Sequence, residues 1–337
     1  MARIFIMGAG GFGTALAVMS HKYGNDVTLW SPFEEEVQQL SRDREQKKLL
    51  AGIPISPEVR ITTSLEALDK QDLVILATPS FAVRSTAKLL EGALRPDVPV
   101  ACVSKGLEAV THKTLSEVLE EELARNPTVA LSGPSHAEEV GRGIATTVVA
   151  ASRSRAAAEK VQDTLMNETF RIYVNDDVLG VEYGGALKNI IALAAGVLDG
   201  YGSGDNTKAA LMTRGIAEIA RLGVAMGAKA ETFAGLSGIG DLIVTCSSMH
   251  SRNRRCGILI GQGVSPAEAV AQIGMTVEGY TCTKAAYELA QKLNVSMPIV
   301  EEAYQVLYQG KSIQAVVKDL MGRPKRHESE SIWLLTR

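Results

Sequence analysis

The stretch MGAGGFGTALA, residues 7–17, decides the fold of the first half of the chain. It follows the apolar run Arg3–Met7 and precedes a helix-like segment, so its GxGxxG pattern lies between a predicted strand and a predicted helix. In this context Gly8 permits a tight turn, Gly10 lets the backbone approach a pyrophosphate and Gly13 lets the helix pack close to the sheet. Unpaired N–H groups at the helix start attract the same phosphate. The stretch therefore predicts a dinucleotide site, with a glycine-rich turn that binds no ligand as the alternative.

Short apolar runs alternate with helical segments over the rest of this half. Near-continuous apolar runs are typical of strands covered on both faces, and we predict strands at Arg3–Met7, Val27–Trp30, Leu73–Thr78, Val98–Ser104, Thr128–Ser132, Thr146–Ala151 and Thr169–Val174. Predicted helices lie between them, including Phe12–Tyr23, Phe81–Leu90 and Leu115–Arg125. This alternation predicts an α/β fold with a doubly wound parallel sheet.

The pattern changes near Asp176, beyond which β-type alternation almost disappears. Helices rich in Ala, Leu and Ile are predicted instead, at Val181–Leu198, Ala209–Met226, Arg254–Ile260, Pro266–Ile273, Thr281–Leu293 and Val300–Tyr308. Ser265 and Glu268 have capping-box spacing, with Pro266 at the first helical position, which supports one of these starts. We therefore predict a dinucleotide-binding domain over residues 1–177 and an all-helical substrate-binding and catalytic domain over residues 178–337.

Length and composition favour a two-domain globular protein and exclude several classes of function. The 337 residues are too many for one typical core, and a net charge of −3 provides no general attraction to nucleic acid or an anionic membrane. The longest later apolar stretch, Ile190–Leu198, is too short to span a bilayer, and the N-terminal segment lacks the features of a signal peptide. Four isolated cysteines without CxxC spacing favour a reduced, cytoplasmic protein without a bound metal.

A lysine in an apolar helix is the strongest candidate for chemistry. Lys188 lies in YGGALKNIIA, residues 183–192, which is apolar nearly all round and should be buried. Burial disfavours a charged lysine and lowers its pKa from about 10.4, as a general acid–base near neutral pH requires. The alternative is a lysine that extends from the helix start into solvent. The histidines His112, His136 and His250 lie in no recognisable donor–acceptor context, and we interpret them as incidental.

Other polar motifs follow predicted strands or glycine-rich turns. Lys105 follows one strand and Ser135 follows another, at the sheet edge where doubly wound folds bind ligands. Ser135 and Glu138 also have the spacing of a capping box, so they could simply begin a helix. A glycine-rich turn delivers the carboxylate of Asp241. The segment Ser251–Arg255 contains three arginines beside serine and asparagine, which suits a phosphate, although a solvated basic loop is the alternative.

The end of the second predicted strand bears on the choice of cofactor. Residues 31–36 read SPFEEE, which includes no arginine to pair with a 2′-phosphate and three carboxylates that would repel one. NAD is therefore favoured over NADP. Alternatively, the glutamates serve only to begin a helix, where acidic side chains are favourable.

Taken together, these motifs resemble the bacterial NAD(P)-dependent glycerol-3-phosphate dehydrogenase family over nearly the whole chain. The motifs that carry the resemblance follow the order and spacing of the family: GAGGFGTALA, VSKGLE, LSGPSHAEEV, GGALKNIIALAAG, GIGDLIVTCSSMHSRNRRCG and VEGYTC. The resemblance implies a Rossmann domain followed by a helical domain of the 6-phosphogluconate dehydrogenase type. It also implies a cytoplasmic homodimer that interconverts sn-glycerol 3-phosphate and dihydroxyacetone phosphate with NAD or NADP, for phospholipid synthesis.

Residue roles follow from the same resemblance. Lys188 is implied as the general acid–base on the C2 oxygen, and Asp241 would orient Lys188 or hold a substrate hydroxyl. The implied substrate site comprises Lys105, Gly133, Ser135, Lys188, Asp241, Ser251, Arg252 and Asn253. The predicted cofactor site comprises Gly8, Gly10, Gly11, Phe12, Gly13, Phe33, Lys105, Ala137, Arg252, Thr276 and Glu278. The chain departs from the family at Pro32-Phe33, where many members carry His-Arg, and at Leu49, where some carry tyrosine.

Two other functions fit part of the pattern. A dehydrogenase of the same architecture could act on a 3-hydroxy acid or on ketopantoate, because one fold supports several substrates. The arginines of Ser251–Arg255 argue against it, since a carboxylate substrate does not need them. A non-catalytic NAD sensor would keep the glycine loop but has little use for Lys188 and Asp241 in apolar surroundings.

Overall fold

A mostly parallel sheet forms the centre of the N-terminal half. The structure is a computed structural model in which residues 1–325 and 328 are described. The strands are β1 Arg3–Met7, β2 Asp26–Trp30, β3 Arg60–Thr62, β4 Leu73–Leu76, β5 Val100–Cys102, β6 Thr128–Ser132, β7 Thr146–Ala151 and β8 Phe170–Asn175. Their order in the sheet is β3-β2-β1-β4-β5-β6-β7-β8, and every neighbouring pair is parallel except β6 and β7.

The observed sheet differs from the predicted one in three respects. The prediction lacks β3, a three-residue edge strand that is only partly buried and therefore has no continuous apolar run. The prediction of a wholly parallel sheet is wrong at β6 and β7, which pair antiparallel. The sequence does not reveal this, because a buried strand has the same apolar pattern in either direction. Strands β4 and β5 end two residues before their predicted ends, since Ala77 and Val103 continue the apolar run into the loops that follow.

Helices cover both faces of this sheet. They are α1 Gly11–Lys22, α2 Glu34–Asp43, α3 Val83–Lys88, α4 Leu115–Glu122, α5 Ala137–Arg142 and α6 Arg155–Leu165. Ile4 and Ile6 of β1 belong to the core that contains α1, whereas Phe5 and Met7 belong to the core that contains α3 and α4. Alternate residues of one strand therefore pack on opposite layers, which confirms the doubly wound fold.

The C-terminal half is helical throughout its described residues. Its helices are α7 Val178–Tyr201, α8 Asp205–Ala225, α9 Asp241–Ser247, α10 Arg252–Gly261, α11 Pro266–Ile273, α12 Glu278–Leu293, α13 Pro298–Gln309 and α14 Ile313–Met321. The whole of α7 is long and apolar enough to cross a membrane, although its most apolar stretch, Ile190–Leu198, is too short to do so alone. However, 78% of its apolar window is buried inside the protein, so α7 is the central helix of this half.

Glycines bring α7 into backbone contact with α10. A Cβ added at Gly196 would lie 2.1 Å from the carbonyl oxygen of Arg254, and one at Gly257 would lie 2.0 Å from that of Leu193. Real side chains cannot be accommodated at such distances, so the two helices can pack this closely only with glycine at these positions. This contact fixes the start of α10 against the C-terminal half of α7, and Asn253 of α10 donates at 2.9 Å to Asn189, the residue that follows Lys188.

The two predicted capping boxes have different outcomes. Ser265 accepts a hydrogen bond from the backbone N–H of Glu268 at 3.4 Å, which confirms the predicted start of α11. The box predicted at Ser135 is wrong. Helix α5 has His136 at its N-cap without a side-chain hydrogen bond, and the Ser135 hydroxyl donates instead to the carbonyl oxygen of Gly133 at 2.9 Å.

Asp177 joins the sheet to the helical half. Strand β8 ends at Asn175, and the carboxylate of Asp177 accepts from the backbone N–H of Gly180 at 3.0 Å as the N-cap of α7. Its other oxygen accepts from the Lys229 backbone N–H at 2.9 Å and from the Thr232 hydroxyl at 2.6 Å. One buried carboxylate thus ties the start of α7 to a segment more than 50 residues away.

We expect Asp177→Ala to lower the free energy of unfolding by about 2–4 kcal/mol, because it removes a cap and leaves three donors unpaired. Urea unfolding followed by circular dichroism measures the change. The matched control is Asp176→Ala, since Asp176 is exposed and its ion pair with Lys229 at 2.8 Å lies on the surface. A similar loss in both variants would contradict the role assigned to Asp177.

Candidate active site

The glycine loop between β1 and α1 has the geometry that its sequence predicts. Gly8 has a φ of +120°, and a Cβ there would lie 2.6 Å from the carbonyl oxygen of Ala77. A Cβ on Gly13 would lie 2.0 Å from the carbonyl oxygen of Gly8, so α1 packs directly on the turn. At Gly10 the nearest neighbour of such a Cβ is a Leu49 methyl group, 4.0 Å away. The loop therefore leaves room above Gly10 for a pyrophosphate.

The end of β2 presents a fixed carboxylate to this loop. Phe33 is 67% exposed and precedes α2, whose first turn consists of the three glutamates. Glu36 nevertheless turns inward, where it accepts from the Ser31 hydroxyl at 2.5 Å and from the Gln46 side-chain amide at 3.3 Å. The same amide donates to the carbonyl oxygen of Ala9 at 2.8 Å. The glutamates thus begin a helix, and one of them also belongs to the surroundings of the glycine loop.

Two lysines share one buried carboxylate at the interface between the two halves. The Lys188 ammonium donates to one oxygen of Asp241 at 2.5 Å and to the Thr245 hydroxyl at 2.6 Å. The Lys105 ammonium donates to the other oxygen of Asp241 at 2.8 Å and to the carbonyl oxygen of Gly133 at 2.8 Å. Lys188 is 5% exposed and Asp241 1% exposed. We name these three charged side chains the Lys–Asp–Lys cluster.

Burial and the neighbouring charges together determine the pKa values of Lys188 and Asp241. Burial lowers the pKa of Lys188 to about 8, opposed by the charge of Asp241 and reinforced by that of Lys105. Burial alone would raise the pKa of Asp241, but the two lysines together outweigh it and lower that pKa. The cluster therefore combines a stable carboxylate with an amine that can exchange a proton near neutral pH.

A π-helical turn places Asp241 against α7. The turn comprises Leu236–Gly240 and runs directly into α9. A Cβ at Gly184 of α7 would lie 2.7 Å from the carbonyl oxygen of Ser237, and one at Gly238 would lie 2.1 Å from that of Phe233. The glycines therefore allow the turn to fold tightly on α7. Single π turns of this kind occur frequently at functional sites.

The start of α10 contributes polar groups of two kinds. Ser251 is the N-cap and accepts from the Arg254 N–H at 3.2 Å. The side chain of Asn253 donates to the Asn189 side chain at 2.9 Å and accepts from the Gly279 N–H at 2.8 Å, so it connects α10 to α7 and α12. Of these two predicted site residues, Ser251 therefore also begins α10, and Asn253 also holds three helices together.

Of the three arginines in this segment, Arg254 is paired, whereas the Nε of Arg255 is buried without a hydrogen-bond partner among the described residues. Arg254 pairs with Asp199 at 2.8 Å and donates to the carbonyl oxygen of Ser247 at 2.7 Å, so its role is structural. Arg252 is partly buried, and within residues 1–325 it forms no ion pair or hydrogen bond. Burial lowers the pKa of Arg252, while Glu278 and Glu138 raise it. A guanidinium without an ion pair or hydrogen bond is suited to bind an anion.

Glu278, a predicted cofactor residue of the C-terminal half, contacts Ser80, which lies four residues after the end of β4. Glu278 accepts from the Ser80 hydroxyl at 2.6 Å and from its backbone N–H at 3.1 Å. Burial raises the pKa of Glu278, and the hydrogen bonds from Ser80 oppose this. A Cβ at Gly106 would lie 2.7 Å from that of Ser80, so the loop after β5 also packs here. Ala137 begins α5, and Thr276 lies two residues before α12 with part of its surface exposed.

Sequence reasoning missed three residues of this site. Thr245 lies one helical turn after Asp241, and this spacing could have indicated that both side chains face the same site. Gln46 contacts Ala9, 37 residues away, so no local pattern indicates its role. His136 packs 5.7 Å from the ring of His250. Burial, followed by the charges of both cluster lysines, lowers the pKa of His136, so it belongs to the surroundings of the cluster.

The other two histidines, which the sequence analysis interprets as incidental, each have a carboxylate nearby. His250 lies 3.5 Å from Glu138, and His112 lies 3.0 Å from Glu288. Both partners are distant in sequence, so no local pattern could have indicated them.

Comparisons with known proteins identify one family over nearly the whole chain. The family models for the N-terminus and the C-terminus of NAD-dependent glycerol-3-phosphate dehydrogenase match residues 3–158 and 177–318. The chain is 52% identical to a protein of Desulfitobacterium hafniense over 99% of this chain and 95% of the relative, and 56% identical to one of Moorella thermoacetica over 97% and 98%. Both relatives are named glycerol-3-phosphate dehydrogenase (NAD(P)+). The crystal structure of glycerol-3-phosphate dehydrogenase from Coxiella burnetii matches with a TM-score of 0.91 and 36% identity, over 96% of this chain and 99% of that one.

Proposed function

The chain belongs to the NAD-dependent glycerol-3-phosphate dehydrogenase family, and we propose that its Lys–Asp–Lys cluster interconverts sn-glycerol 3-phosphate and dihydroxyacetone phosphate with NAD. One observation carries the proposal. A buried Lys188 with a lowered pKa is held at 2.5 Å by Asp241, at the edge of the sheet where dinucleotide folds bind their ligands. Such a lysine can give or take the proton of an alcohol near neutral pH.

In the reducing direction Lys188 donates a proton to the C2 oxygen of dihydroxyacetone phosphate. When bound, NADH supplies the hydride that C2 accepts. Asp241 keeps the ammonium of Lys188 in place, because it accepts from both lysines of the cluster. Lys105 adds a second positive charge that stabilises the developing alkoxide. In the oxidising direction Lys188 takes the same proton from the C2 hydroxyl.

Arg252 binds the substrate phosphate in this proposal. Its guanidinium has no carboxylate partner within residues 1–325, and it lies one residue into α10, which packs against α7. Binding energy at the phosphate then positions C2 beside Lys188. Substrate contacts are completed by Gly133, Ser135, Ser251 and Asn253, and cofactor contacts by the glycine loop with Phe12, Phe33, Ala137, Thr276 and Glu278.

Two broader expectations remain predictions. The glycerol 3-phosphate that this chain produces would supply phospholipid synthesis, and the enzyme would act as a cytoplasmic homodimer. Size-exclusion chromatography with light scattering measures the number of subunits.

The boundary between the two domains, predicted at residue 177, would be tested by expressing residues 1–177 alone and measuring whether this fragment folds and binds NADH.

Oxidation of NADH by dihydroxyacetone phosphate tests the proposed reaction, followed as loss of NADH absorbance. We expect turnover with this substrate and none with ketopantoate or a 3-oxo acid. Turnover of ketopantoate or of a 3-oxo acid, without turnover of dihydroxyacetone phosphate, would instead identify the chain as the corresponding dehydrogenase. Binding of NADH without turnover of any triose phosphate would favour a sensor.

We expect a higher kcat/KM for NADH than for NADPH, because residues 31–36 contain no cation and Glu36 holds a fixed carboxylate near the end of β2. Among the basic residues that follow in sequence, Arg42 and Lys47 both pair with Asp43, at 2.8 Å and 3.1 Å. One uncompensated carboxylate disfavours a 2′-phosphate by about 1 kcal/mol at a screened dielectric, or roughly fivefold. Phe33→Arg should narrow the difference, as measured by kcat/KM for both cofactors. If the wild-type enzyme prefers NADPH at physiological salt, this interpretation is wrong, and Lys47 and Lys48 become the residues to replace.

A further inference from the structure

The loop between β5 and α4, residues 103–114, carries Lys105 into the interface between the two halves, and we name it the Lys105 loop. The Lys105 ammonium donates to Asp241 and to the carbonyl oxygen of Gly133, each at 2.8 Å. Leu107, two residues later, is 6% exposed and packs in the apolar core of the helical half. The position of Lys105 in the Lys–Asp–Lys cluster therefore depends on what holds this loop.

Arg84 of α3 holds the Lys105 loop at Glu108. Its Nε and one terminal nitrogen donate to the two carboxylate oxygens of Glu108 at 2.7 Å and 2.8 Å. The Thr111 hydroxyl donates to the same carboxylate at 2.5 Å, and the Glu108 backbone N–H donates to the carbonyl oxygen of Lys113 at 3.0 Å. The hydrogen bonds from Arg84 are the main reason that the pKa of Glu108 is lowered to about 2. A bidentate contact of this kind fixes both the distance and the orientation of the carboxylate.

Arg84 is itself fixed by helix α4. Its two terminal nitrogens donate to Glu122 at 2.5 Å and to Glu121 at 2.8 Å. The side chains of Arg84, Glu108 and Glu122 are only 27%, 20% and 15% exposed, so water screens these ion pairs less than it screens a pair on the surface. Arg84 thus connects the Lys105 loop to the helices that cover the sheet.

We infer that Arg84, acting through Glu108, positions Lys105 against Asp241 for catalysis. The inference rests on the proposed function and assigns a positioning role within it. The ammonium of a lysine lies at the end of a flexible four-carbon chain, so its place depends on where the loop holds the backbone. A displacement of about 1 Å at a catalytic group can lower the rate by up to roughly a hundredfold.

The protonation of Lys188 reports where Lys105 lies. The positive charge of Lys105 helps to lower the pKa of Lys188 to about 8, so release of the loop should raise that pKa. The other groups near Lys188 titrate elsewhere. Asp241 has a lowered pKa, burial raises the pKa of Cys246 to about 12, and burial lowers the pKa of His136. A shift of the pH dependence near pH 8 therefore reports on Lys188 and the distance of Lys105 from it.

The pH dependence of dihydroxyacetone phosphate reduction in Glu108→Gln tests the inference, with Glu122→Gln as the matched control. Each variant removes one carboxylate from Arg84, but only Glu108 belongs to the Lys105 loop. Glu108→Gln should lower kcat/KM about ten- to a hundredfold and move the decline in rate upward by roughly one pH unit. Glu122→Gln should keep kcat/KM within about threefold and the decline near pH 8. Loss of a negative charge alone would move the decline downward, so the upward direction distinguishes displacement of Lys105 from a change in net charge.

Two further variants distinguish positioning from general stability. Arg84→Lys keeps the charge but not the bidentate contact, so it should resemble Glu108→Gln. In a Lys105→Met background, Glu108→Gln should cause no further shift, because the charge that it displaces is already absent. An unchanged decline in Glu108→Gln, an equal shift in Glu122→Gln or a further shift in the Lys105→Met background would each overturn the inference.

A measurement without turnover separates this inference from the proposed function. Titration of the enzyme labelled with ¹⁵N-lysine, followed by NMR, gives the pKa of Lys188 directly, and Glu108→Gln should raise it by the same amount. Failure of the wild-type enzyme to reduce dihydroxyacetone phosphate would contradict the proposed function, whereas an unchanged pKa of Lys188 in Glu108→Gln would contradict the positioning of Lys105.

Discussion

Lys188→Ala should lower kcat by about two to four powers of ten, the range expected for loss of a general acid–base. The affinity for NADH should barely change, because Lys188 lies in the Lys–Asp–Lys cluster and not in the glycine loop. Steady-state kinetics with dihydroxyacetone phosphate and a fluorescence titration with NADH measure the two quantities. Near-normal kcat in this variant would remove Lys188 from the mechanism.

A second variant separates chemistry from packing. Lys188→Met keeps an unbranched side chain in the buried position, so it should fold and bind NADH while losing the same fraction of kcat. The pH dependence gives an independent readout. Lys188 must be protonated to act as the acid, so in the wild-type enzyme the rate of reduction should fall as the pH rises through about 8. Both variants should lack this decline.

The fold could be predicted well where a segment is long and its apolar pattern is continuous. Helix α7 was predicted at Val181–Leu198 and extends over Val178–Tyr201, and β1 was predicted to the residue. The three-residue β3 could not be predicted, because its pairing with β2 provides stability that its own sequence does not show. The antiparallel direction of β7 likewise depends on its neighbour in the sheet and not on its residues.

Sequence motifs predict candidate site residues, but they do not predict the contacts between those residues. Local motifs identify Lys188 and Asp241, yet their contact joins residues 53 positions apart. The roles within Ser251–Arg255 depend on Asp199, which neutralises Arg254 and leaves Arg252 and Arg255 without an ion pair within residues 1–325. The partner of a charged side chain is a tertiary property, so sequence composition overestimates the number of free arginines.

Arg252→Ala should selectively lower kcat/KM for the phosphorylated substrate. Loss of a charge-assisted, bidentate contact should cost about 3 kcal/mol of transition-state stabilisation, or roughly a hundredfold in kcat/KM for dihydroxyacetone phosphate. The much slower reduction of unphosphorylated dihydroxyacetone should change little, because that substrate has no group for Arg252 to bind. Comparison of kcat/KM for the two substrates in both enzymes measures the selectivity.

Arg254→Ala is the matched control, since it removes the same charge from the same helix. Arg254 pairs with Asp199, so its loss should lower thermal stability and leave the ratio of kcat/KM for the two substrates unchanged. Equal losses on both substrates in Arg252→Ala would assign Arg252 to folding or cofactor binding. The two substrates differ only in the phosphate group. A loss of kcat/KM for the phosphorylated substrate alone, seen in Arg252→Ala and not in Arg254→Ala, would therefore show that Arg252 contacts the phosphate.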